Sequence, residues 1–404
     1  MIRHFSTSLT RLAKPTTTAA PPLYLGRPSN NLSSGLVGLA NIGKSTFFQA
    51  FTNSKLSNPA NYPYATIEPC KSIVSAKSDV LEHYQSIFGS EKQIQSKLTI
   101  WDIAGLTRGA SSGAGLGNQF LNDIRQVDGV FQVIRGFIDD DITHVEKTVD
   151  PVRDCIVVGD ELILKDLEFI ENERKILQRE KKHKKNENIE WCGQVLDKLE
   201  NMLYEGIKVI NGEYNEEEIK YINGLNLLTA KPTVYLLNTS AEDYGSGNNQ
   251  FIKPVSDWIV ENSPNDKLIV CSGEYETQLN ELTGEELAQY VANIGQGKPS
   301  AINDIVSAMK SALHLISFYT CGPKEAHQWS LRQGKNVTEA AGVIHTDLQQ
   351  TFINSIVYKW KDLQELTAFD EGKLKSQGKQ YRHGKKYIVE DGDVIIIKAG
   401  SGKK

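Results

Sequence analysis

The 404-residue sequence contains no apolar run that approaches the roughly 20 residues needed to cross a bilayer. We therefore expect no membrane insertion. Net positive charge is also missing, because 45 Lys and Arg stand against 50 Asp and Glu. Any basic surface that attracts nucleic acid must therefore be local. The five cysteines form no C-x-x-C pair, which argues against a zinc site and against a disulfide framework.

Acidic residues are missing from the N-terminus, where the first Asp or Glu of the chain is Glu68. Arginine, lysine and histidine occur there among many Ser and Thr. An Arg-rich, Ser-rich, acid-poor N-terminus is typical of a mitochondrial transit peptide. We predict that residues 1–30 direct the protein to the mitochondrial matrix. The alternative is a disordered tail on a cytoplasmic protein.

A phosphate-binding motif follows this segment. Gly38–Ser45 fits G-x-x-x-x-G-K-[ST], in which Lys44 reaches the outer phosphates of a nucleoside triphosphate and the Ser45 hydroxyl binds Mg²⁺. Residues 35–37 are predicted to end a buried strand, and residues 46–51 to open a helix. This order places the phosphates at a helix N-terminus, where unpaired N–H groups favour negative charge.

Two further segments are predicted to sense the γ-phosphate. Asp102–Gly105 has the D-x-x-G pattern, in which Asp102 holds Mg²⁺ and the Gly105 N–H bonds the γ-phosphate. Thr66 lies in a loop rich in proline and asparagine, about 20 residues after Lys44, and is predicted to give its hydroxyl to Mg²⁺. Leu106 stands where Ras-like enzymes carry the glutamine that orients the attacking water. We therefore expect no hydrolysis by that route.

The base-recognition segment is altered. Asn238–Ala241 stands where GTPases carry Asn-Lys-x-Asp, whose aspartate accepts two donors of guanine. With Ala241 in that place, guanine would leave donors unpaired at about 1–3 kcal/mol per buried group, which favours ATP over GTP. Glu242 restores a carboxylate only if the loop slips by one residue. Ser272 and Gly273 are predicted to lie near the base.

The remaining chain predicts two modules. Apolar residues at helical spacing from about 152 to 224 indicate an inserted helical hairpin, with a dense basic run at residues 179–185. That run is either a solvated tip or a contact to RNA phosphates. A helix at 301–313 and short strands after it describe a small β-grasp module. His345 and Asp347 lie in it without a nucleophile, and we interpret them as structural.

Several motifs in order resemble the Obg-like ATPase, or YchF, family of translation-type P-loop proteins: Gly38–Ser45, residues 61–69, Asp102–Leu106, Gly113–Leu121 and the altered base segment. The resemblance runs from about residue 32 to the C-terminus. It implies an α/β fold, with an OBG-type G domain and a mostly parallel sheet over residues 31–300. A helical (coiled-coil) hairpin is inserted at about 152–224, and a C-terminal β-grasp (TGS) domain covers 313–398.

The resemblance also implies site residues. Phosphate contacts fall on Asn41, Ile42, Gly43, Lys44, Ser45 and Thr46, with Gly105 at the γ-phosphate. Mg²⁺ ligands fall on Ser45 and Thr66, with Asp102 beside them. Adenine contacts fall on Asn238 and Thr239. Asn41 is also a candidate contact for K⁺.

Two positions depart from the family pattern. Gln132 stands where the family usually has a histidine that assists hydrolysis, and glutamine orients water but takes no proton near pH 7. Ala241 replaces Glu or a similar polar residue. No catalytic residue is therefore assigned.

The functional hypothesis is a slow ATPase whose switch state is read by a ribosome or ribosomal RNA. The alternatives are a nucleotide-dependent binding factor with negligible turnover and a GTPase of the Obg class. The oligomeric state stays open.

Overall fold

The structure is a computed structural model that describes residues 23–52, 70–106, 109, 116–139, 141–183 and 187–400. Side chains at 116–119, 182–183 and 187 are not described. Thr66 and the segments 61–69 and 110–115 lie outside the described residues. Among the described residues, none of the helices combines the length and apolar character that a membrane span requires.

The strands of the described chain are β1 (Ser33–Val37), β2 (Cys70–Ser75), β3 (Lys92–Ile94), β4 (Lys97–Asp102), β5 (Gly129–Arg135), β6 (Thr233–Asn238), β7 (Lys267–Cys271), β8 (Leu315–Cys321), β9 (Glu325–Arg332), β10 (Phe352–Tyr358), β11 (Tyr381–His383) and β12 (Val394–Ala399).

The α-helices are α1 (Lys44–Thr52), α2 (Asp79–Phe88), α3 (Leu116–Gln126), α4 (Pro151–His183), α5 (Glu187–Tyr204), α6 (Glu216–Leu225), α7 (Ala241–Ser246), α8 (Ile252–Asn262), α9 (Gly273–Glu281), α10 (Gly284–Asn293), α11 (Ile302–Ala312), α12 (Val337–Ile344), α13 (Thr346–Gln350), α14 (Trp360–Leu363) and α15 (Glu371–Ser376).

The first sheet has the order β2-β4-β1-β5-β6-β7. All neighbours pair in parallel except β2, which is antiparallel to β4. Every residue of β5 and β6 is buried, as expected for parallel strands covered by helices on both faces. The predicted α/β class, with a mostly parallel sheet in the P-loop domain and a separate C-terminal domain, is confirmed.

The second sheet has the order β11-β10-β12-β8-β9-β3. Its edge strand β3 comes from the nucleotide-domain part of the sequence and pairs in parallel with β9. The preceding helix α2 packs Leu81, Tyr84 and Ile87 into the core of this C-terminal domain, and the Tyr84 hydroxyl donates to the Gly392 carbonyl at 2.6 Å. The two domains are therefore joined by α2 and β3, which pack in the C-terminal domain, as well as by the backbone between α11 and β8.

The helical arm is built from α4, α5 and α6. Ile170, Leu196, Leu199 and Ile222 form much of its own apolar core. The first half of α4 belongs instead to the nucleotide domain, because Val157, Val158 and Leu162 lie in that domain's core. One continuous helix thus runs from the nucleotide domain into the arm.

Candidate nucleotide-binding site

The phosphate loop connects the end of β1 to the start of α1. Gly38 has φ 151° and Gly43 has φ 91°, which glycine adopts readily and other residues rarely. A Cβ on Gly38 would lie 2.6 Å from the Val133 carbonyl oxygen. Asn41 also has a positive φ, of 60°. The loop therefore requires its two glycines, and it ends at a helix N-terminus suited to phosphate.

Lys44 is the buried cation of this loop, with 8% of the residue exposed. Its Nζ donates to the Leu39 carbonyl at 2.7 Å. Burial lowers the pKa of Lys44 to about 8, although nearby Asp102 opposes the shift. A Cβ on Gly105 would lie 3.0 Å from this Nζ, so the D-x-x-G glycine is docked against the lysine.

Ser45 and Asp102 meet at the carboxyl ends of β1 and β4. The Ser45 hydroxyl donates to Asp102 Oδ2 at 2.9 Å, and Asp102 is fully buried. A hydroxyl beside a carboxylate is the oxygen donor set that Mg²⁺ uses next to a phosphate. These two residues fit the predicted metal, whereas the predicted third ligand, Thr66, lies outside the described residues.

Asn238 joins three loops at the same edge of the sheet. Its Nδ2 donates to the Ile42 carbonyl at 3.0 Å, and its Oδ1 accepts from the Gly273 N–H at 2.9 Å. Asn238 is 5% exposed, and a Cβ on Gly43 would lie 2.5 Å from its Nδ2. The side chain therefore fixes the phosphate loop relative to the predicted base-binding loops.

The base-recognition loop begins helix α7. The Ser240 hydroxyl accepts from the Asp243 N–H and so caps this helix. Ala241 is 1% exposed, and its side chain packs in the core. The Ala241 N–H donates to Glu274 Oε2 at 3.3 Å. Thr239 is buried, and its N–H donates to the Cys271 carbonyl at 2.8 Å.

Arg135 was not assigned a role from the sequence. It ends β5, is 1% exposed, and donates to the carbonyls of Phe137, Asp139 and Ile142. It also donates to the Asn41 carbonyl at 3.4 Å. Arg135 therefore holds the 137–142 loop beside the phosphate loop. A charged residue at the end of a mostly apolar strand was the signal for this role.

The two positions in the expected catalytic region are both buried. Leu106 is 1% exposed, and its N–H donates to the Gly38 carbonyl at 2.9 Å. Gln132 is 3% exposed and lies beside Val37, the residue before the phosphate loop. Its Nε2 is buried without a hydrogen-bond partner in the described part of the chain. A buried unpaired donor is costly in a native structure.

His345 and Asp347 are exposed, with 63% and 77% of their side-chain surfaces accessible to solvent. The His345 ring accepts from the Asp347 N–H at the start of α13. This capping contact agrees with the structural interpretation of the pair.

Two family models match the sequence. The model named MMR_HSR1, described as a 50S ribosome-binding GTPase, matches residues 33–161. The model named YchF-GTPase_C, described as a protein of unknown function, matches residues 315–400.

Curated relatives match nearly the whole chain. An Obg-like ATPase homolog of Saccharomyces cerevisiae is 49% identical over 393 residues, covering 94% of this chain and 97% of the relative. Obg-like ATPase 1 of the same yeast is 43% identical, with coverage of 94% and 97%. Among solved structures, the Schizosaccharomyces pombe YchF GTPase aligns with a TM-score of 0.81 and 38% identity, covering 93% of this chain and 100% of that one.

Proposed function

The chain belongs to the Obg-like ATPase, or YchF, family, and from this membership we propose that it is an ATP-hydrolysing switch. As a member, it is a P-loop nucleotide-binding protein with the fold of a nucleotide hydrolase. The observation that carries the proposal is the convergence of Lys44, Ser45 and Asp102 at one sheet edge. Lys44 contacts the outer phosphates, and Ser45 with Asp102 holds Mg²⁺, which neutralises developing phosphate charge when bound.

Adenine is the proposed base. Ala241 presents no side chain to a base because it packs in the core. Glu274 carries the nearby carboxylate, and it already accepts the Ala241 N–H. The two ring-edge donors of guanine would therefore lack the aspartate that GTPases supply, at about 1–3 kcal/mol per unpaired group. Asn238 and Thr239 are the proposed contacts to adenine.

Calorimetry on the purified protein tests the base assignment. We expect ATP to bind more tightly than GTP in the presence of Mg²⁺, and Lys44→Ala to weaken both. GTP binding tenfold tighter than ATP, a difference of about 1.4 kcal/mol, would overturn the choice of adenine and leave a GTPase of the Obg class.

Hydrolysis is proposed to be slow, because Leu106 has no side-chain amide to orient the attacking water and Gln132 takes no proton near pH 7. The alternative is a binding factor with negligible turnover. Phosphate release under single-turnover conditions separates them. If the parent releases phosphate and Lys44→Ala does not, the protein is an enzyme. If neither protein releases phosphate, it is a binding factor.

A ribosome or its RNA is the proposed partner, contacted by the basic run of the arm. Arg179 and Lys181 are exposed near the end of α4, and Lys181 pairs with Glu190. Replacing both cations with Gln should lower the salt slope of ribosome binding by about 1.4–1.8, since each phosphate contact contributes about 0.7–0.9. Lys253→Gln, at an exposed lysine on α8, serves as the matched control and should leave the slope unchanged. An unchanged slope in the arm variant would refute the phosphate contact.

Mitochondrial targeting by residues 1–30 is also proposed, on the composition of that segment alone. The test is the location of the C-terminally tagged full chain compared with one lacking residues 2–22. Loss of mitochondrial signal on truncation supports the proposal, and cytoplasmic full-length protein contradicts it.

K⁺ at Asn41 is proposed as an additional ligand, and ATP titrations in K⁺ and in Na⁺ buffers will show whether the affinity depends on it.

A further inference from the structure

Glu161 is a buried acid outside the phosphate site. It lies in the first half of α4 and is 4% exposed. Its Oε1 accepts the Gly109 N–H at 2.5 Å. Burial of a carboxylate is costly unless hydrogen bonds compensate it, so this contact is a strong local constraint on Gly109. Gly109 itself has φ 83°, a conformation that glycine adopts without strain.

Gly109 follows the D-x-x-G glycine by four residues. Between them, the Leu106 N–H donates to the Gly38 carbonyl at 2.9 Å, and Gly105 lies against Lys44. Gly105 and Leu106 are thus docked on the phosphate loop, and Gly109 is held by Glu161. These contacts restrict the positions of the predicted γ-phosphate sensor and of the residue four positions after it.

Helix α4 is itself anchored in the nucleotide domain. Asp166 is fully buried and accepts from the Leu228 N–H, the Thr229 N–H and the Thr229 hydroxyl at 2.7–2.9 Å. From this anchor the helix continues to His183 in the arm. Its 33 residues span about 50 Å at ~1.5 Å per residue. Glu161 therefore connects Gly109 to the helix that continues into the arm.

We infer that Glu161 is a positioning residue: by holding the Gly109 backbone, it keeps the nearby D-x-x-G glycine docked on the phosphate loop and couples γ-phosphate binding to the helical arm. The inference rests on the proposed function as a nucleotide switch. In this role Glu161 acts through the Gly109 backbone. Preorganisation of the D-x-x-G glycine removes an ordering cost from binding, and only nucleotides with a γ-phosphate gain from it.

The test compares ADP with the non-hydrolysable analogue AMP-PNP, in the full chain with Mg²⁺. Glu161→Leu keeps a similar volume but removes the acceptor. We expect its affinity for AMP-PNP to fall about tenfold, within the range typical of coupled sites, while ADP binding stays unchanged and reports correct folding. Glu161→Gln, which retains an acceptor oxygen, should restore most of the affinity. Glu168→Leu, at an exposed acid of the same helix, should behave like the parent.

Gly109→Ala is the second variant, because it strains the loop while leaving Glu161 in place. It should reproduce the selective loss of AMP-PNP affinity. Equal affinity losses for both nucleotides, or no loss in either variant, would overturn the positioning role. A parent protein that binds neither nucleotide would overturn the proposed function as well.

Amide hydrogen exchange tests the coupling to the arm. In the parent, replacing ADP with AMP-PNP should change exchange in peptides covering residues 163–181, and Glu161→Leu should lose most of that difference. Identical exchange in both nucleotide states of the parent would overturn the coupling.

Discussion

Asn238→Ala should be among the most damaging single substitutions in the nucleotide site, although it removes few atoms. The parent side chain donates to the Ile42 carbonyl and accepts from the Gly273 N–H. Asn238 is only 5% exposed, so both backbone groups meet it in a buried environment. Alanine would leave an acceptor in the phosphate loop and a donor at the start of α9 without their partner.

The expected cost follows from these two groups. Each buried group left unsatisfied costs about 1–3 kcal/mol, so the free energy of unfolding should fall by about 2–6 kcal/mol. At about 2–4 °C per kcal/mol for domains of 150–250 residues, the melting temperature should fall by at least about 4 °C. The phosphate loop also loses its connection to the base-binding loops, so nucleotide affinity should fall beyond the loss of stability.

Urea unfolding followed by circular dichroism measures the first effect, and calorimetry with ATP measures the second. Asn248→Ala is the matched control, because Asn248 is exposed near the end of α7, and it should change stability by no more than about 0.5 kcal/mol. A loss below 1 kcal/mol in Asn238→Ala, with ATP affinity unchanged, would refute the conclusion that this side chain holds the three loops together.

Two further changes probe the charges of the site. Burial lowers the pKa of Lys44 from 10.5 to about 8, so the folded parent binds fewer protons than the unfolded chain between these values and its stability rises with pH there. At pH 7 we expect Lys44→Met to be more stable than the parent, because methionine brings no charge into this buried position. This difference in the free energy of unfolding should shrink by about 1–3 kcal/mol from pH 7 to pH 10, as measured by urea unfolding. Lys253→Met is its exposed control, and a constant difference for Lys44→Met would contradict the role of burial. Asp102→Asn should remove most of the dependence of ATP affinity on Mg²⁺, and a full loss of affinity on adding EDTA to this variant would contradict a metal role for Asp102.

Local motifs made the phosphate site predictable from the sequence. Gly38–Ser45 and Asp102–Gly105 encode their chemistry in contiguous residues, and the structure brings Lys44, Ser45, Asp102 and Gly105 together. The burial of β5 and β6 likewise follows from their mostly apolar sequences. The roles expected of the phosphate-site residues in binding remain predictions, as do those of Thr66, Thr239 and Gln132.

Other features depend on partners distant in the chain, which no local pattern reveals. Strand β3 joins the C-terminal sheet by pairing with β9, more than 200 residues later in the sequence. In the sequence, Glu161 is one of many acids on a charged helix, and only the fold buries it against Gly109. Arg135 likewise makes its contacts only when the 137–142 loop folds around it.

The sequence by itself determined that the chain carries a nucleotide-binding phosphate loop, because such a loop is made from consecutive residues whose backbone conformations their own types favour. The tertiary structure alone decided how this loop connects to the rest of the molecule. Asn238, Glu161 and β3 act through hydrogen bonds or strand pairing across long sequence separations. Such contacts depend on where the sheet and the long helix place each side chain.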